Sequence, residues 1–167
     1  FDTFGKINRH FNAMNDDSTE KPTRILHLED SPVDHDLVIR ALRRSGLSFT
    51  IERVETLEEF DAKLRSTEFD AIVADYRLRG FTAIDAWDLL RHRQMCAPFI
   101  LLSGAIGESA AVAAIKLGMS DYLQKDDVAK LGHVIRRAID MQETRLAKDR
   151  ADAVTRAGHD SGFYCQV

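Results

Sequence analysis

Short apolar runs recur along the chain, and several of them end abruptly in polar residues. The runs at 24–28, 71–74 and 98–102 are almost continuously apolar, which is typical of strands buried on both faces of a parallel sheet. Weaker patterns at 49–54 and 121–124 predict two further strands. The polar residues that directly follow four of these runs are Glu29, Asp75, Ser103 and Lys125. Ligands of open parallel sheets bind beyond the carboxyl ends of the strands, so these residues are candidates for function.

Helical signals fill the intervals between the predicted strands. Ser31 is a candidate N-cap with Pro32 at the first helical position, and Gly46 ends that helix. Thr56 and Glu59 form a capping box at the start of a second helix. The apolar positions expected to face the core are Leu37, Val38, Ala41, Leu42, Leu57, Phe60, Leu64, Ala83, Ala86, Trp87 and Leu90.

Two more helices complete the pattern. A fourth helix follows the loop 103–107 and ends at Gly118, and a last helix begins near Val128. The resulting order, βαβαβαβαβα, predicts an α/β fold with a five-stranded parallel sheet and helices on both faces. We expect a flexible N-terminal tail over 1–23, a folded domain over 24–140, and a helical extension with a C-terminal tail over 141–167. Met14 is a candidate translation start, which leaves open whether residues 1–13 are native.

Composition argues against several classes of function. The net charge of −4 and the isoelectric point near 5.9 do not fit a nucleic-acid-binding protein. No apolar run approaches the length of a membrane span, and no signal peptide is visible. Cys96 and Cys165 are far apart in sequence, so a disulfide framework is not expected and a cytoplasmic location fits. Cys96 is expected to be a small buried residue.

Glu29, Asp30 and Asp75 bring three carboxylates to one edge of the predicted sheet. Such a cluster favours a hard divalent cation, and Mg²⁺ binds through one or two carboxylates while it retains several waters. Ser103 and Lys125 occupy the equivalent ends of neighbouring strands. A hydroxyl and an ammonium group beside a metal-bound carboxylate form a site for a phosphoryl group, which the carboxylate attacks at phosphorus.

This arrangement resembles the receiver domain of two-component response regulators, over roughly residues 24–140. The resemblance is carried by Leu28-Glu29-Asp30 with Pro32, by Asp75 after an apolar strand, by Ser103-Gly104-Ala105-Ile106-Gly107-Glu108, and by Ala111-Val112, Gly118 and Asp121-Tyr122-Leu123-Gln124-Lys125. It implies the flavodoxin-like receiver fold. It also implies that Asp75 is the phosphoacceptor, that Ser103 and Lys125 contact the phosphoryl group, and that Tyr122 changes rotamer with the state of Ser103.

The resemblance also implies a magnesium site and a set of partners. Asp30 and Asp75 would bind Mg²⁺, Glu29 would act directly or through water, and the carbonyl of Arg77 would be a further ligand. The phosphoryl donor would be a histidine kinase or a histidine phosphotransfer protein. The protein would not be an enzyme beyond slow self-dephosphorylation. Its output would be a downstream protein partner or self-association through the fourth helix, the fifth strand and the last helix, without nucleic acid or membrane.

Two positions depart from the receiver pattern. Receivers usually have a proline after the lysine, in a cis peptide, whereas Asp126 follows Lys125 here. A cis bond is disfavoured without proline, and Asp126 and Asp127 suit the start of the last helix instead. Arg77, two residues after Asp75, either covers the site or is an exposed loop residue.

Three alternatives remain at this point. A phosphatase of the haloacid dehalogenase type also uses a strand-end aspartate with Ser and Lys, but it requires a second aspartate where Arg77 stands. A receiver that has lost phosphotransfer is disfavoured by the intact acidic residues, Ser103 and Lys125. A flavin-binding protein lacks support because no phosphate-binding loop follows the first strand. His27, inside a buried strand, is expected to be a structural histidine with its hydrogen bonds satisfied.

Overall fold

The structure of the protein is a computed structural model, which describes residues 21–93, 95–104, 112 and 114–160, with side chains up to residue 154. The strands are β1 (Thr23–Leu28), β2 (Phe49–Val54), β3 (Ala71–Asp75), β4 (Arg77–Leu78), β5 (Phe81–Thr82), β6 (Phe99–Ser103) and β7 (Asp121–Gln124). The helices are α1 (Pro32–Arg44), α2 (Leu57–Ser66) and α3 (Ala83–His92), followed by a 3₁₀ helix (Lys125–Lys130) and the C-terminal helix (Leu131–Asp160).

Five of the strands form one parallel sheet in the order β2-β1-β3-β6-β7. The core has two parts, one on each face of this sheet. On one face α2 and α3 pack through Phe60, Leu64, Ala86 and Leu90, and on the other face α1 and the C-terminal helix pack through Val38, Leu42, Leu131 and Ile135. The predicted α/β fold with a five-stranded parallel sheet is therefore confirmed.

The local signals that start and end the helices act largely as expected. The Ser31 hydroxyl accepts a hydrogen bond from the backbone N–H of Asp34 at 3.3 Å, and the Thr56 hydroxyl accepts one from the backbone N–H of Glu59 at 3.2 Å. Gly46 follows α1 with a φ of 70°, a conformation that glycine adopts without strain. The two hydroxyls thus satisfy backbone N–H groups in the first turns of α1 and α2, which would otherwise lack a partner within the helix.

Three local predictions were wrong. Leu37 is 41% exposed rather than buried, because the face of α1 that packs on the sheet is narrow and buries only Val38, Ala41 and Leu42. Cys96 is exposed, since it lies in the connection before β6 rather than in the strand. The last helix does not begin near Val128 as an α-helix, because residues 125–130 form a 3₁₀ helix first.

Several structural features were not predicted or fall outside the described residues. The antiparallel pair β4–β5 connects β3 to α3, and each of its strands has only two residues. The predicted N-terminal tail is described only from residue 21. The loop residues 105–107 and most of the predicted fourth helix, including Glu108 and Ala111, lie outside the described residues. No helix within the described ranges is long and apolar enough to cross a membrane.

The C-terminal helix approaches the end of α1 very closely at Gly132. A Cβ atom on Gly132 would overlap the Ser45 hydroxyl and lie 2.5 Å from Ser45 Cβ. The guanidinium of Arg136, one turn later, donates a hydrogen bond to the Ser45 carbonyl at 3.0 Å. Glycine is therefore required here for close helix packing, and this packing fixes the start of the C-terminal helix just after the 3₁₀ helix.

Candidate functional site

The sheet register brings the predicted site residues to one edge. Leu28 pairs with Ala74, so Glu29 and Asp75 follow at adjacent positions of β1 and β3. Ser103 is the last residue of β6 and pairs with Gln124, which directly precedes Lys125. Because all these strands are parallel, their carboxyl ends open on the same side of the sheet.

Lys125 lies at the centre of the site. Its Nζ is 3.1 Å from Asp75 Oδ2, 3.3 Å from Glu29 Oε2 and 2.5 Å from Asp34 Oδ2. An ammonium group has three N–H donors, so these three carboxylates can engage all of them. The Lys125 side chain passes over Gly104, where a Cβ would lie 3.8 Å from Lys125 Cδ. The strand ends converge as the sequence analysis expected, and Lys125 contacts the acids that end or follow two of these strands.

Asp34 was not predicted to belong to this site. Sequence analysis explains an acid at this position by the favourable effect of negative charge at a helix N-terminus, and it gives no reason for more. The structure places its carboxylate on the lysine from the first turn of α1. No local sequence pattern identifies Asp34 as a site residue. Its position could have been inferred only from the fold, because the turn after β1 must run beside the strand-end acids before α1 begins.

Burial sets the electrostatics of the two central acids. Glu29 is fully buried and Asp75 is 8% exposed. Loss of solvation raises the pKa of both carboxyls, and the nearby Lys125 only partly offsets this effect. Glu29 also accepts a hydrogen bond from the backbone N–H of Ser31 at 2.9 Å. Burial opposes the charged form of Lys125 as well, but its bonds to Asp34 and Asp75 outweigh that effect and raise its pKa.

Asp30 forms an ion pair with an arginine. Its Oδ2 is 3.2 Å from Nε of Arg79, whose side chain is 83% exposed. Arg77 is exposed on β4 and forms no ion pair within the described residues, which agrees with the reading of an exposed loop arginine. The arginine that reaches the predicted site is therefore Arg79 rather than Arg77.

Ser103 and Tyr122 occupy the β6–β7 side of the site. Ser103 is buried at the end of β6. The Tyr122 ring packs against the core, and its hydroxyl is buried with no hydrogen-bond partner among the described residues. The hydroxyl of Tyr122 therefore already lies inside the protein, whereas the sequence analysis expected the ring to change rotamer with the state of Ser103.

The donor chemistry of the site fits magnesium. Within the described ranges no three His, Cys, Asp or Glu side chains already form a metal cage. Mg²⁺ does not require one, because it binds through few carboxylates and keeps most of its waters. Asp30 and Asp75 offer hard oxygen ligands at a partly exposed edge. The partner of Asp30 is the exposed arginine Arg79, and a cation can displace such a surface ion pair at little cost.

Buried His27 pairs with the partly exposed His35 near the strand-end acids. Nδ1 of His27 on β1 is 2.8 Å from Nδ1 of His35 on α1, and the rings stack with centroids 5.1 Å apart. Nε2 of His27 has no hydrogen-bond partner among the described residues. Burial, with smaller effects from nearby positive charges, lowers the pKa of His27 to about 3, so the ring is neutral at physiological pH. The expected structural role fits, but only one of its two ring nitrogens is satisfied.

Comparison with known proteins agrees with the geometry of the site. The family model of the response regulator receiver domain matches residues 25–136. Photosynthetic apparatus regulatory protein RegA of Rhodovulum sulfidophilum is 32% identical over 106 residues, which cover 64% of this chain and 56% of that protein. Acid tolerance regulatory protein ActR of Rhizobium meliloti is 31% identical over 118 residues, which cover 66% of this chain and 59% of that protein. The chain thus spans little more than half the length of these curated relatives.

Solved structures support the same fold. The receiver domain of the sensor histidine kinase PA1611 from Pseudomonas aeruginosa has a TM-score of 0.62 and 25% identity, over 72% of this chain and 99% of that one. That structure holds a magnesium ion in its active-site cleft. The receiver domain of a LuxO repressor protein from Vibrio parahaemolyticus has a TM-score of 0.67 and 19% identity, over 75% of this chain and 95% of that one.

Proposed function

Because the chain belongs to the response regulator receiver domain family, we propose that Asp75 accepts a phosphoryl group from a histidine kinase or a histidine phosphotransfer protein. The observation that carries this proposal is the contact of 3.1 Å between Asp75 and Lys125 at a strand edge shared with Glu29 and Ser103. A buried carboxylate beside a fixed ammonium can act as a nucleophile toward phosphorus.

The proposed phosphoryl transfer involves Asp75, the donor phosphohistidine, Lys125 and Ser103. A carboxylate oxygen of Asp75 forms the new O–P bond, the P–N bond of the donor phosphohistidine breaks, and the imidazole nitrogen keeps the electron pair. Lys125 stabilises the negative charge on the phosphoryl oxygens, and the Ser103 hydroxyl donates a hydrogen bond to one of them. Slow attack of water on the same phosphorus breaks the O–P bond to Asp75 and releases inorganic phosphate and the free carboxylate, so turnover is limited to self-dephosphorylation.

Magnesium would be held by Asp30 and Asp75, with the carbonyl of Arg77 and with Glu29 directly or through water. When bound, the ion supplies positive charge to the phosphoryl oxygens. Arg79 must leave Asp30 for the ion to bind, and its exposed side chain allows this. Lys125 continues to pair with the fully buried carboxylate of Glu29, whose backbone carbonyl accepts a hydrogen bond from the Arg53 guanidinium at 3.2 Å.

The output surface would lie on the fourth helix, β7 and the C-terminal helix. Within the described part of this region, five large apolar side chains are exposed to solvent, which fits docking of a downstream protein or a second copy. They are Val112, Ile115, Leu117, Met141 and Val154. Tyr122 connects this surface with the site, because it lies on β7 one strand away from Ser103. A cytoplasmic location follows from a kinase-dependent function of this kind.

The test is chemical labelling. The protein is incubated with acetyl phosphate and Mg²⁺. Mass spectrometry should then show one added phosphoryl group at Asp75, and the bond that holds it should be stable in acid and labile in base. Asp75→Asn should abolish the adduct, whereas the matched control Asp126→Asn, at an exposed acid beside the same lysine, should keep it. Labelling that persists in Asp75→Asn, on another residue, contradicts the assignment.

A further inference from the structure

Asp34 makes the shortest of the three contacts to Lys125. Its Oδ2 lies 2.5 Å from Nζ, compared with 3.1 Å for Asp75 and 3.3 Å for Glu29. Hydrogen bonds between an ammonium group and a carboxylate are charge-assisted, so each of these contacts holds the lysine. Unlike the other two acids, Asp34 has no place in the metal and phosphoryl groups of the proposed function, so its contact with the lysine requires a separate explanation.

The three acids also differ in how freely they can move. Glu29 directly follows the buried strand β1 and Asp75 ends the buried strand β3, and their side chains are 0% and 12% exposed. The Asp34 side chain is 36% exposed and stands on the first turn of α1. A carboxylate at the surface can rotate into water at little cost, because water replaces the bond that it loses. The bond to Asp34 is therefore the one that the lysine can release.

Phosphorylation of Asp75 changes what the lysine must contact. All three N–H donors of Lys125 are engaged in the unphosphorylated protein, so a phosphoryl oxygen gains a donor only when one bond breaks. A phosphoryl group also adds negative charge beside the Asp34 carboxylate. Asp34 thus opposes the phosphorylated state in two ways, by holding the lysine and by repelling the new charge.

We propose that Asp34 is a positioning residue that competes with the phosphoryl group for Lys125 and thereby lowers the affinity of the site for a phosphoryl group. This inference rests on the proposed function of Asp75. The residue acts through the lysine and does not touch the reacting phosphorus. The consequence is a receiver whose unphosphorylated state is stabilised by an acid from α1, and in which this acid sets how readily the phosphorylated state is populated.

The experiment measures binding of beryllofluoride, a phosphoryl mimic, at fixed Mg²⁺ and neutral pH. Asp34→Asn should bind it roughly three- to tenfold more tightly than the unsubstituted protein, the effect of removing one partly screened charge a few ångströms away. Asp36→Asn removes the same charge from an exposed position two residues further along α1, and it should change the affinity less than about twofold. Equal or weaker binding by Asp34→Asn overturns the inference.

A double-mutant cycle separates competition for the lysine from plain charge repulsion. In a Lys125→Gln background, Asp34→Asn should have a much smaller effect on the affinity, because the shared partner is gone. An undiminished effect in that background would overturn the role of Lys125. If Lys125→Gln does not bind the mimic, the contact is tested instead in proteins that keep Lys125, by the ¹⁵N resonance of its ammonium group. This resonance should shift in Asp34→Asn and stay unchanged in Asp36→Asn. A resonance that does not shift in Asp34→Asn refutes the contact.

The two proposals fail in different ways. If the unsubstituted protein neither forms the acetyl phosphate adduct nor binds beryllofluoride, the proposed function fails and the role of Asp34 fails with it. If the protein is labelled on Asp75 and binds beryllofluoride, but Asp34→Asn behaves like Asp36→Asn, only the role of Asp34 is refuted.

Discussion

Replacing Lys125 with alanine tests whether the site is held together by one shared cation. The substitution leaves Glu29, which is fully buried, and Asp75, which is 8% exposed, without the ammonium group that bonds to both. Asp34, which is more exposed, can turn to water. The free energy of unfolding should therefore fall at neutral pH, because Glu29 and Asp75 remain buried without a cation that compensates their charge.

The magnitude follows from the burial of the partners. Removing one member of a buried ion pair costs about 3–5 kcal/mol, because the other charge is left uncompensated. The loss is smaller here, since protonation of a carboxyl and entry of water at the partly open edge relieve it. We expect a loss of roughly 2–3 kcal/mol at pH 7.5. Domains of this size have a total stability of about 5–15 kcal/mol, so the variant should still fold.

The pH dependence provides the sharper test. Burial raises the pKa of both Glu29 and Asp75, and Lys125 lowers each of them. Without the lysine, both pKa values rise further, and the folded state binds more protons than the unfolded state above about pH 4. Stability then falls as pH rises through this window up to the raised folded-state pKa values. The loss caused by Lys125→Ala should accordingly be smaller at pH 5 than at pH 7.5.

Urea unfolding at both pH values, without Mg²⁺, measures this difference. Lys130→Ala is the matched control, because Lys130 lies on the same 3₁₀ helix and its exposed ammonium group pairs with the half-exposed acid Asp127. The control should change the free energy of unfolding by less than about 1 kcal/mol at either pH. A loss in Lys125→Ala that matches the control, or one that is the same at both pH values, would refute the account of a shared buried cation.

Three further predictions concern the metal, the core and the helix packing. Mg²⁺ at about ten times its Kd should stabilise the protein by roughly 1.4 kcal/mol and so raise its melting temperature. Asp30→Ala should abolish this rise, and a rise that survives in the variant argues against Asp30 as a metal ligand. Tyr122→Phe should leave the free energy of unfolding equal or raise it by up to about 1 kcal/mol, because it removes a buried hydroxyl that has no partner within the described structure; a loss above about 1 kcal/mol would indicate a hidden partner. Gly132→Ala should lower the free energy of unfolding by about 1–3 kcal/mol, despite the better helix propensity of alanine, because its Cβ would overlap the Ser45 side chain. Adding Ser45→Gly should relieve part of this loss, and urea unfolding of the single and double variants measures it. Strictly additive losses in the double variant would contradict the predicted clash.

The strand-end acids and Lys125 could be predicted because their signals are local. Each follows an apolar run, and the parallel sheet then brings the ends of the runs together without further information. The capping residues Ser31 and Thr56 are local in the same sense, since each bonds to a backbone N–H three residues away. Residue types and spacing over fewer than ten positions were sufficient for these elements.

The features that were missed depend on distant contacts or on very short elements. Asp34 and Lys125 are 91 residues apart, so no window of sequence relates them. His35 completes a pair with His27 only because α1 packs back on β1. The β4–β5 pair has two residues on each strand, which is too short for alternation to show. Leu37 follows the helical period, but the surface that it faces is open to solvent.

Helix α1 links the site to the C-terminal helix through contacts at both of its ends. At its start, Asp34 binds the Lys125 ammonium, and at its end Ser45 lies against Gly132 and accepts a hydrogen bond from Arg136. Lys125 and Gly132 are themselves joined by the short 3₁₀ helix. The chain from Lys125 to the C-terminal helix is therefore fixed to α1 at two points. Because dense packing resists continuous deformation, the position of the lysine depends on the packing at Gly132 as well as on the acids that it contacts.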